Sequence, residues 1–231
     1  MEVPPDYFRV LSARRRYVKQ LVKYLAEARG EAKFTDLLKA LGNPPKSTLS
    51  NNLDVLIRLG VAERRGRGLI RLRFKTPLCL IANADVPAAY LGLLGLRDQR
   101  RVSETETAVK LLEGEGWKIE KVKVVTTLEA AGSWRNYIPS RLQSRIEWHT
   151  LAGDVLDNIQ LIEQQVEPIL TGLMKEYTVI VDCTSGTRPA GIAYYRLASK
   201  WSTPLIYVYE QRQKLAWLIS REDLKQRIPI T

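Results

Sequence analysis

The chain has 231 residues, 45% of them hydrophobic, which is enough for one large domain or two small ones. Its net charge is +11, and the excess is uneven: residues 1–81 hold 17 Lys and Arg against 7 Asp and Glu, a net +10, which leaves 19 against 18 for the rest. No apolar run approaches the roughly 18 residues of a membrane span, and the opening MEVPPDYFRVLSARRR lacks the apolar core of a signal peptide, so a cytoplasmic protein without membrane contact is expected.

A basic third joined to a neutral remainder is the electrostatic footprint of a nucleic-acid-binding module, or else a solvated basic surface. Apolar residues at Val18, Leu21, Val22, Leu25 and Ala28 predict a helix over Ser12–Arg29, capped by Ser12 and ended by Gly30. Phe34, Leu37, Leu38 and Leu41 predict a second, short helix closed by Gly42. After Pro44 and Pro45 a third helix starts near Lys46, with Leu49, Leu53 and Leu56 on one face and Gly60 as its stop. VAERRGRGLIRLRF then alternates on either side of Gly66-Arg67-Gly68, which predicts a β-hairpin.

Three helices and a basic hairpin resemble a winged helix-turn-helix, and KSTLSNNLDVLIRLGVAERRGRGLIRLRF follows the recognition-helix-and-wing pattern of prokaryotic winged-helix regulators. On that resemblance Lys46, Ser47, Thr48, Ser50 and Asn51, with Asn52, occupy the start and outer face of the third helix, where short polar side chains approach a groove floor. Arg64, Arg65 and Arg67 sit on the wing, where guanidinium groups meet phosphates of double-stranded DNA. A protein-binding winged helix is the alternative.

Residues 76–86 are expected to link residues 1–75 to a second domain over 87–231, and the apolar run Leu78–Ala82 to form a strand. Beyond it strands and helices alternate. AAYLGLLGL, IEKVKVVTT, IEWHTL, TVIVDC, PLIYVYE and KLAWLIS read as strands. SETETAVKLLEGEGW, DVLDNIQLIEQQVEPILTGLMKEY and AGIAYYRLASKW read as helices, the second kinked or divided at Pro168. The expected fold class is therefore α/β: a winged helix followed by a Rossmann-like, mainly parallel sheet with helices on both faces.

In such a sheet ligands sit beyond the carboxyl ends of the strands. DCTSGTRP lies at one such end. Thr184, Ser185 and Thr187 offer hydroxyls, Gly186 lets a backbone approach closely, the following helix start favours anions, and Arg188 adds a charge. Together they describe a site for a phosphate-bearing ligand; an ordinary turn capping a helix is the plain alternative. The spacing is neither GxxxxGK[ST] nor GxGxxG. A second loop, LGLRDQRR, follows the first strand of the domain and carries Gly95, Leu96, Arg97, Asp98, Arg100 and Arg101.

The pair of motifs LGLRD and VDCTSGTRPAGIAYYRLA resembles the CRISPR-associated Rossmann-fold (CARF) domain, whose late motif reads D-x-T-G-G-T-K; Asp182, Thr184, Gly186 and Thr187 match, with Ser185 for a glycine and Arg188 for a lysine. The resemblance covers roughly residues 86–220. It extends to the archaeal CARF–winged-helix transcription regulators, with the domain order reversed. It implies a homodimer of type III CRISPR antiviral defence whose shared pocket binds a cyclic oligoadenylate, usually cyclic tetra-adenylate, at Gly95–Asp98 and Thr184–Arg188. The effector is then a ligand and not a cofactor. The leading expectation is a ligand-responsive DNA-binding regulator without catalytic residues. The alternative is a ring nuclease in which Ser185, Thr187 and Arg188 position a ribose hydroxyl and stabilise charge without a metal.

Two cysteines, Cys79 and Cys183, and one histidine, His149, give no metal-ligand spacing and no disulfide framework. A HEPN-type ribonuclease is not expected, since neither Arg145 nor Arg141 stands at R-x4-6-H spacing from His149. Trp134, Arg135, Asn136 and Tyr137 are candidates to stack on a base.

Overall fold

The computed structural model describes residues 2–12 and 15–230, with Arg67 described in its backbone alone. The chain divides into two compact units. One comprises the described residues up to Val86, Met174–Thr178 and those from Arg221 onward; the other comprises Pro87–Leu173 and Val179–Ser220.

In the first unit α1 spans Tyr7–Leu11, and Asp6 caps it by accepting from the Arg9 N–H at 2.9 Å. The first long helix, α2, starts at Val18 and ends at Glu27. Ser12 closes α1 and does not open α2; the part of the expected helix on Ala13 and Arg14 lies outside the described residues. Val18, Leu21, Val22 and Leu25 repeat at helical spacing and are all buried. Arg29 and Gly30, with φ of 60° and 92°, turn the chain into β1, Glu31–Lys33. Then come α3, Phe34–Ala40, and α4, Lys46–Arg58, which buries Leu49, Leu53 and Leu56. Next β2, Ala62–Arg65, and β3, Leu69–Leu72, pair antiparallel around a 3-10 turn at Gly66–Gly68, and β1 joins the far edge of β3.

The expected link 76–86 is not a link. Leu78–Ile81 forms a helical turn, α5, whose four residues are all buried in the first unit. The expected strand there is corrected too, because a run of four apolar residues satisfies a buried helix as well as a strand. The expected second domain also gives up two segments to the first unit. Lys75 N–H donates to Met174 O at 2.7 Å, and Arg221, opening α11 (Arg221–Arg227), donates to Asn83 Oδ1 at 2.9 Å.

The second unit is an α/β fold on a six-stranded sheet of order β6-β5-β4-β7-β8-β9. Its strands are β4 (Ala88–Leu93), β5 (Ile119–Thr127), β6 (Ile146–Leu151), β7 (Thr178–Asp182), β8 (Leu205–Tyr209) and β9 (Lys214–Ile219). The pairs β4–β5, β5–β6 and β7–β8 are parallel, and β8–β9 is an antiparallel hairpin. All six residues of β4 are buried, as a central strand covered on both faces requires. The helices are α6 (Glu104–Gly114), α7 (Leu128–Trp134), α8 (Ser140–Gln143), α9 (Ile159–Met174) and α10 (Arg188–Trp201). Pro168 lies inside a single α9 and does not divide it. Leaving β4, the chain builds β5 and β6 on one side and then crosses to β7 and β8 on the other, so β4 and β7 flank the topological switch point.

Candidate nucleotide-binding crevice

The switch point is where both sequence motifs end. β4 runs into the loop Leu94–Arg100, and β7 into Cys183–Thr187. One hydrogen bond ties them: Gly95 N–H donates to Ser185 Oγ at 3.2 Å. Around that bond lies a cavity of about 490 Å³, lined by Gly95, Leu96, Arg100, Thr184, Ser185, Gly186 and Thr187. Thr127, Glu129 and Leu156 close its far side. Gly186 has φ of 96°, and an added Cβ would stand 3.2 Å from Leu93 Cδ1. Glycine here serves both the positive φ and the close approach to β4.

The late loop is organised from below by a buried carboxylate. Asp182 Oδ1 accepts from the Thr184 N–H at 2.8 Å and from the Thr184 hydroxyl. Its Oδ2 accepts from the Tyr90 hydroxyl at 2.7 Å. Burial pushes the Asp182 carboxyl above its ordinary value, while the Thr184 and Tyr90 hydrogen bonds oppose that shift. Burial also raises Tyr90, with the Asp182 charge adding to it. Tyr90 reaches Asp182 by lying along its own strand over Gly92, where an added Cβ would stand 2.3 Å from the hydroxyl. Thr184 Oγ1 also accepts from the Val208 N–H at 2.8 Å, which holds the loop to β8. Thr187 caps α10 by accepting from the Ala190 N–H at 3.3 Å, and its hydroxyl donates to Leu156 O.

The early loop is held by aromatic residues. Trp134 is fully buried and donates from Nε1 to Gly95 O at 2.8 Å. It anchors the loop from within the core, which corrects its expected role as a base platform. Arg97 lies over the Tyr137 ring at 3.7 Å and donates to Arg100 O, and its N–H donates to Ser133 Oγ. Arg97 and Asp98 do not line the cavity, and Asp98 takes φ of 51° in an exposed turn. Arg188 is exposed at the first position of α10, outside the lining, and makes no ion pair among the described residues.

Three residues of this region carry no signal in the motifs. Glu104, at the start of α6, is 6% exposed; one carboxylate oxygen is bound by Arg100 and the other has no partner among the described residues. Tyr207 and Tyr209, on the exposed face of β8, line an adjoining cavity of about 440 Å³ together with Glu104 and Thr184. Their alternation with buried Val208 was legible in PLIYVYE; their nearness to the crevice was not.

In the first unit Lys46, Ser47 and Asn51 are exposed on the first turns of α4, and Thr48 and Ser50 are half-buried. Asn52 faces inward at 7% exposure and donates to Thr48 O at 2.8 Å, which corrects its expected outer position. Arg64 bonds Ser50 Oγ at 3.1 Å and Asp54 Oδ1 at 2.7 Å, and Arg65 pairs with Glu63 at 2.8 Å. Both pairs are exposed, so each holds its arginine only weakly. The Arg67 side chain lies outside the described residues.

His149 is on β6, its pKa lowered by burial and then by Lys123. No group of three or more His, Cys, Asp or Glu side chains among the described residues is placed to share a metal ion. No helix among them is long and apolar enough to cross a membrane.

No family model matches the chain, and no curated protein matches it. Solved structures align with part of the chain. Protein VC1899 from Vibrio cholerae aligns with TM-score 0.45 and 13% identity over 58% of this chain and 34% of its own. Can2 from Sulfobacillus thermosulfidooxidans, in complex with cyclic tetra-adenylate, aligns with TM-score 0.42 and 14% identity over 57% and 35%. Csm6 from Enterococcus italicus, bound to cyclic hexa-2′-fluoro-hexa-dAMP, aligns with TM-score 0.45 and 12% identity over 63% and 38%. The chain thus spans little more than a third of each of these proteins, and at such TM-scores the likeness bears on neither ligand nor activity.

Proposed function

We propose that the chain is a CARF-type, nucleotide-responsive regulator: its second unit binds a cyclic oligoadenylate, cyclic tetra-adenylate first among them, and its first unit is a winged helix that binds double-stranded DNA. The observation that carries this reading is the Gly95–Ser185 bond, which joins the two motif loops as walls of one cavity at the sheet's switch point. The cavity lies within the roughly 300–1,000 Å³ of small-ligand sites and suits one or two nucleotides. A four-nucleotide ring needs two such cavities, which supports a two-fold pair of chains. The start of α10 supplies the positive end for phosphate, and Arg188 on its first turn, exposed outside the lining, is left to close on the ligand from the rim.

The first unit's helix–strand–helix–helix–hairpin order and its β1-β3-β2 sheet are those a winged helix requires. Lys46 and Arg58 at the two ends of α4 are exposed and form no ion pair among the described residues, so they are open to phosphates. Ring cleavage is less well supported, because the Thr187 hydroxyl is engaged by Leu156 O and Ser185 Oγ already accepts from Gly95.

Calorimetry on the full chain with cyclic and linear tetra-adenylate, paired with light scattering, tests the reading. Cyclic tetra-adenylate should bind at one ring per two chains, and Arg188→Ala, entering twice at roughly 1.5–3 kcal/mol per charged hydrogen bond, should weaken it at least a hundredfold. A monomer that ignores the ring, or an Arg188→Ala variant that binds it undiminished, refutes the site.

A further inference from the structure

The two adjoining cavities share two residues, Glu104 and Thr184, and differ in what else they offer. The first has the glycine-rich loop and the start of α10. The second has Tyr207 and Tyr209, 36% and 49% exposed, with rings edge to face at 5.1 Å. Exposed tyrosines on an otherwise buried strand are a stacking platform for a base. Glu104 stands where the two cavities meet. It is nearly buried, Arg100 holds one of its carboxylate oxygens, and the other is satisfied by nothing among the described residues. Leaving such an acceptor unmade is costly, so a bound ligand that brings a donor to it gains what the free site lacks.

The chemistry of that acceptor orients the ligand. A carboxylate repels phosphate, so the phosphate belongs at the Gly186–Arg188 end and a donor-bearing part of the nucleotide at the Glu104 end. Only one oxygen is unpaired. Guanine's Watson–Crick edge presents two adjacent donors that match a carboxylate's two oxygens, whereas adenine, like cytosine, presents a single exocyclic amine, and adenine is the base of the proposed ring. We propose that Glu104 is the base-specificity residue of the crevice: its unpaired carboxylate oxygen accepts from the exocyclic amine of an adenine that stacks on Tyr207 and Tyr209, while the phosphate lies toward Gly186. This deepens the nucleotide reading above and rests on it.

The experiment is calorimetry on the full chain with cyclic tetra-adenylate, its tetra-inosine counterpart, in which a 6-oxo acceptor replaces the amine, and the 2′-deoxy ring. 5′-AMP and 5′-IMP serve as single-nucleotide probes. Wild type should prefer the amine-bearing member of each pair by about tenfold or more. Glu104→Gln reverses the sense of the bond. Its amide oxygen must stay on Arg100, because an amide N–H there would face the guanidinium donors, so its amide nitrogen faces the cavity and offers a donor to the 6-oxo group. The preference should therefore invert, a result that mere disturbance of Arg100 does not produce, since that weakens both ligands alike. Tyr209→Ala should weaken both members equally, by about tenfold. If wild type binds the rings but Glu104→Gln keeps the amine preference, or if the variant responds to the 2′-deoxy ring in place of the inosine ring, the base assignment is wrong while the ring reading stands. If AMP is preferred over IMP and the preference inverts in Glu104→Gln, yet no ring binds, the base assignment stands and the ring reading falls. If neither AMP nor any ring binds, both fall.

Discussion

Tyr90→Phe removes one hydroxyl from beneath the crevice and leaves the ring in place. The lost bond runs from a fully buried tyrosine to Asp182 Oδ2 at 2.7 Å, and Asp182 itself is 2% exposed. A buried carboxyl oxygen is left with no donor, so once the group is ionised the cost is about 3 kcal/mol, the upper end for a single hydrogen bond because the acceptor is then charged. The loss must depend on pH, and its sign follows from linkage. The Asp182 pKa in the folded chain lies above its ordinary 3.8, so between 3.8 and the raised value the folded state holds more protons than the unfolded one. Stability contributed by this group therefore falls as pH rises through that window and levels off above it. Removing the Tyr90 donor raises the folded pKa further and extends the fall to higher pH. Below that window, where the carboxyl is protonated in both states, the variant should lose only a neutral hydrogen bond, about 1 kcal/mol. All five tryptophans, Trp117, Trp134, Trp148, Trp201 and Trp217, lie in the second unit, so urea unfolding followed by tryptophan fluorescence reports on that unit alone. Equal stability of variant and wild type at every pH, or a loss that does not shrink as the pH falls through the window, would refute the reasoning.

Trp134→Phe keeps the core aromatic but strands Gly95 O; it should cost about 1–2 kcal/mol and speed amide exchange at Gly95–Arg97, and unchanged exchange there would show that the loop is held by other means. Burial pushes the Cys79 thiol up to about 12 and Cys183 up to about 11, so both stay protonated at pH 8, and native chain should react with iodoacetamide far more slowly than urea-unfolded chain, as counted by mass spectrometry. In full-length protein Arg65→Ala with Arg67→Ala should weaken binding to every duplex and flatten the salt slope by about 0.9 for each phosphate no longer neutralised, while Asn51→Ala should change sequence preference; anisotropy that shows neither effect removes the DNA interface from this face.

Elements with an unambiguous period were legible in the sequence. IEKVKVVTT alternates and becomes β5 over the same nine residues, Ile119–Thr127. Ser103 ahead of Glu104 and Glu106 announced α6, and its hydroxyl accepts from the Glu106 N–H. Both crevice loops were legible because an α/β sheet has only one end for ligands, and the glycine of TSGTR stands where positive φ is needed. What could not be read depends on partners far away in the chain. Leu78–Ile81 has no period of its own, and only the surrounding side chains decide that it is helical. α7 was missed because it is short, contains Gly132 and follows directly on the β-branched end of β5, whose last residue, Thr127, caps it. Glu104 reads as a helix-start acid; that Arg100 takes just one of its oxygens is a fact of folded geometry.

The division of the chain into units has a consequence for the order in which the protein is made. Chains leave the ribosome at about 5–20 residues per second, and the domain nearer the N-terminus ordinarily folds first. Here that order is inverted. The second unit has all its strands and its crevice once Ser220 has emerged, but the first unit still lacks α11 and the buried Leu224, Ile228 and Ile230. A nascent chain halted just after Ser220 thus has every residue of the second unit, while the first unit still lacks its last segment. The module begun first is completed last.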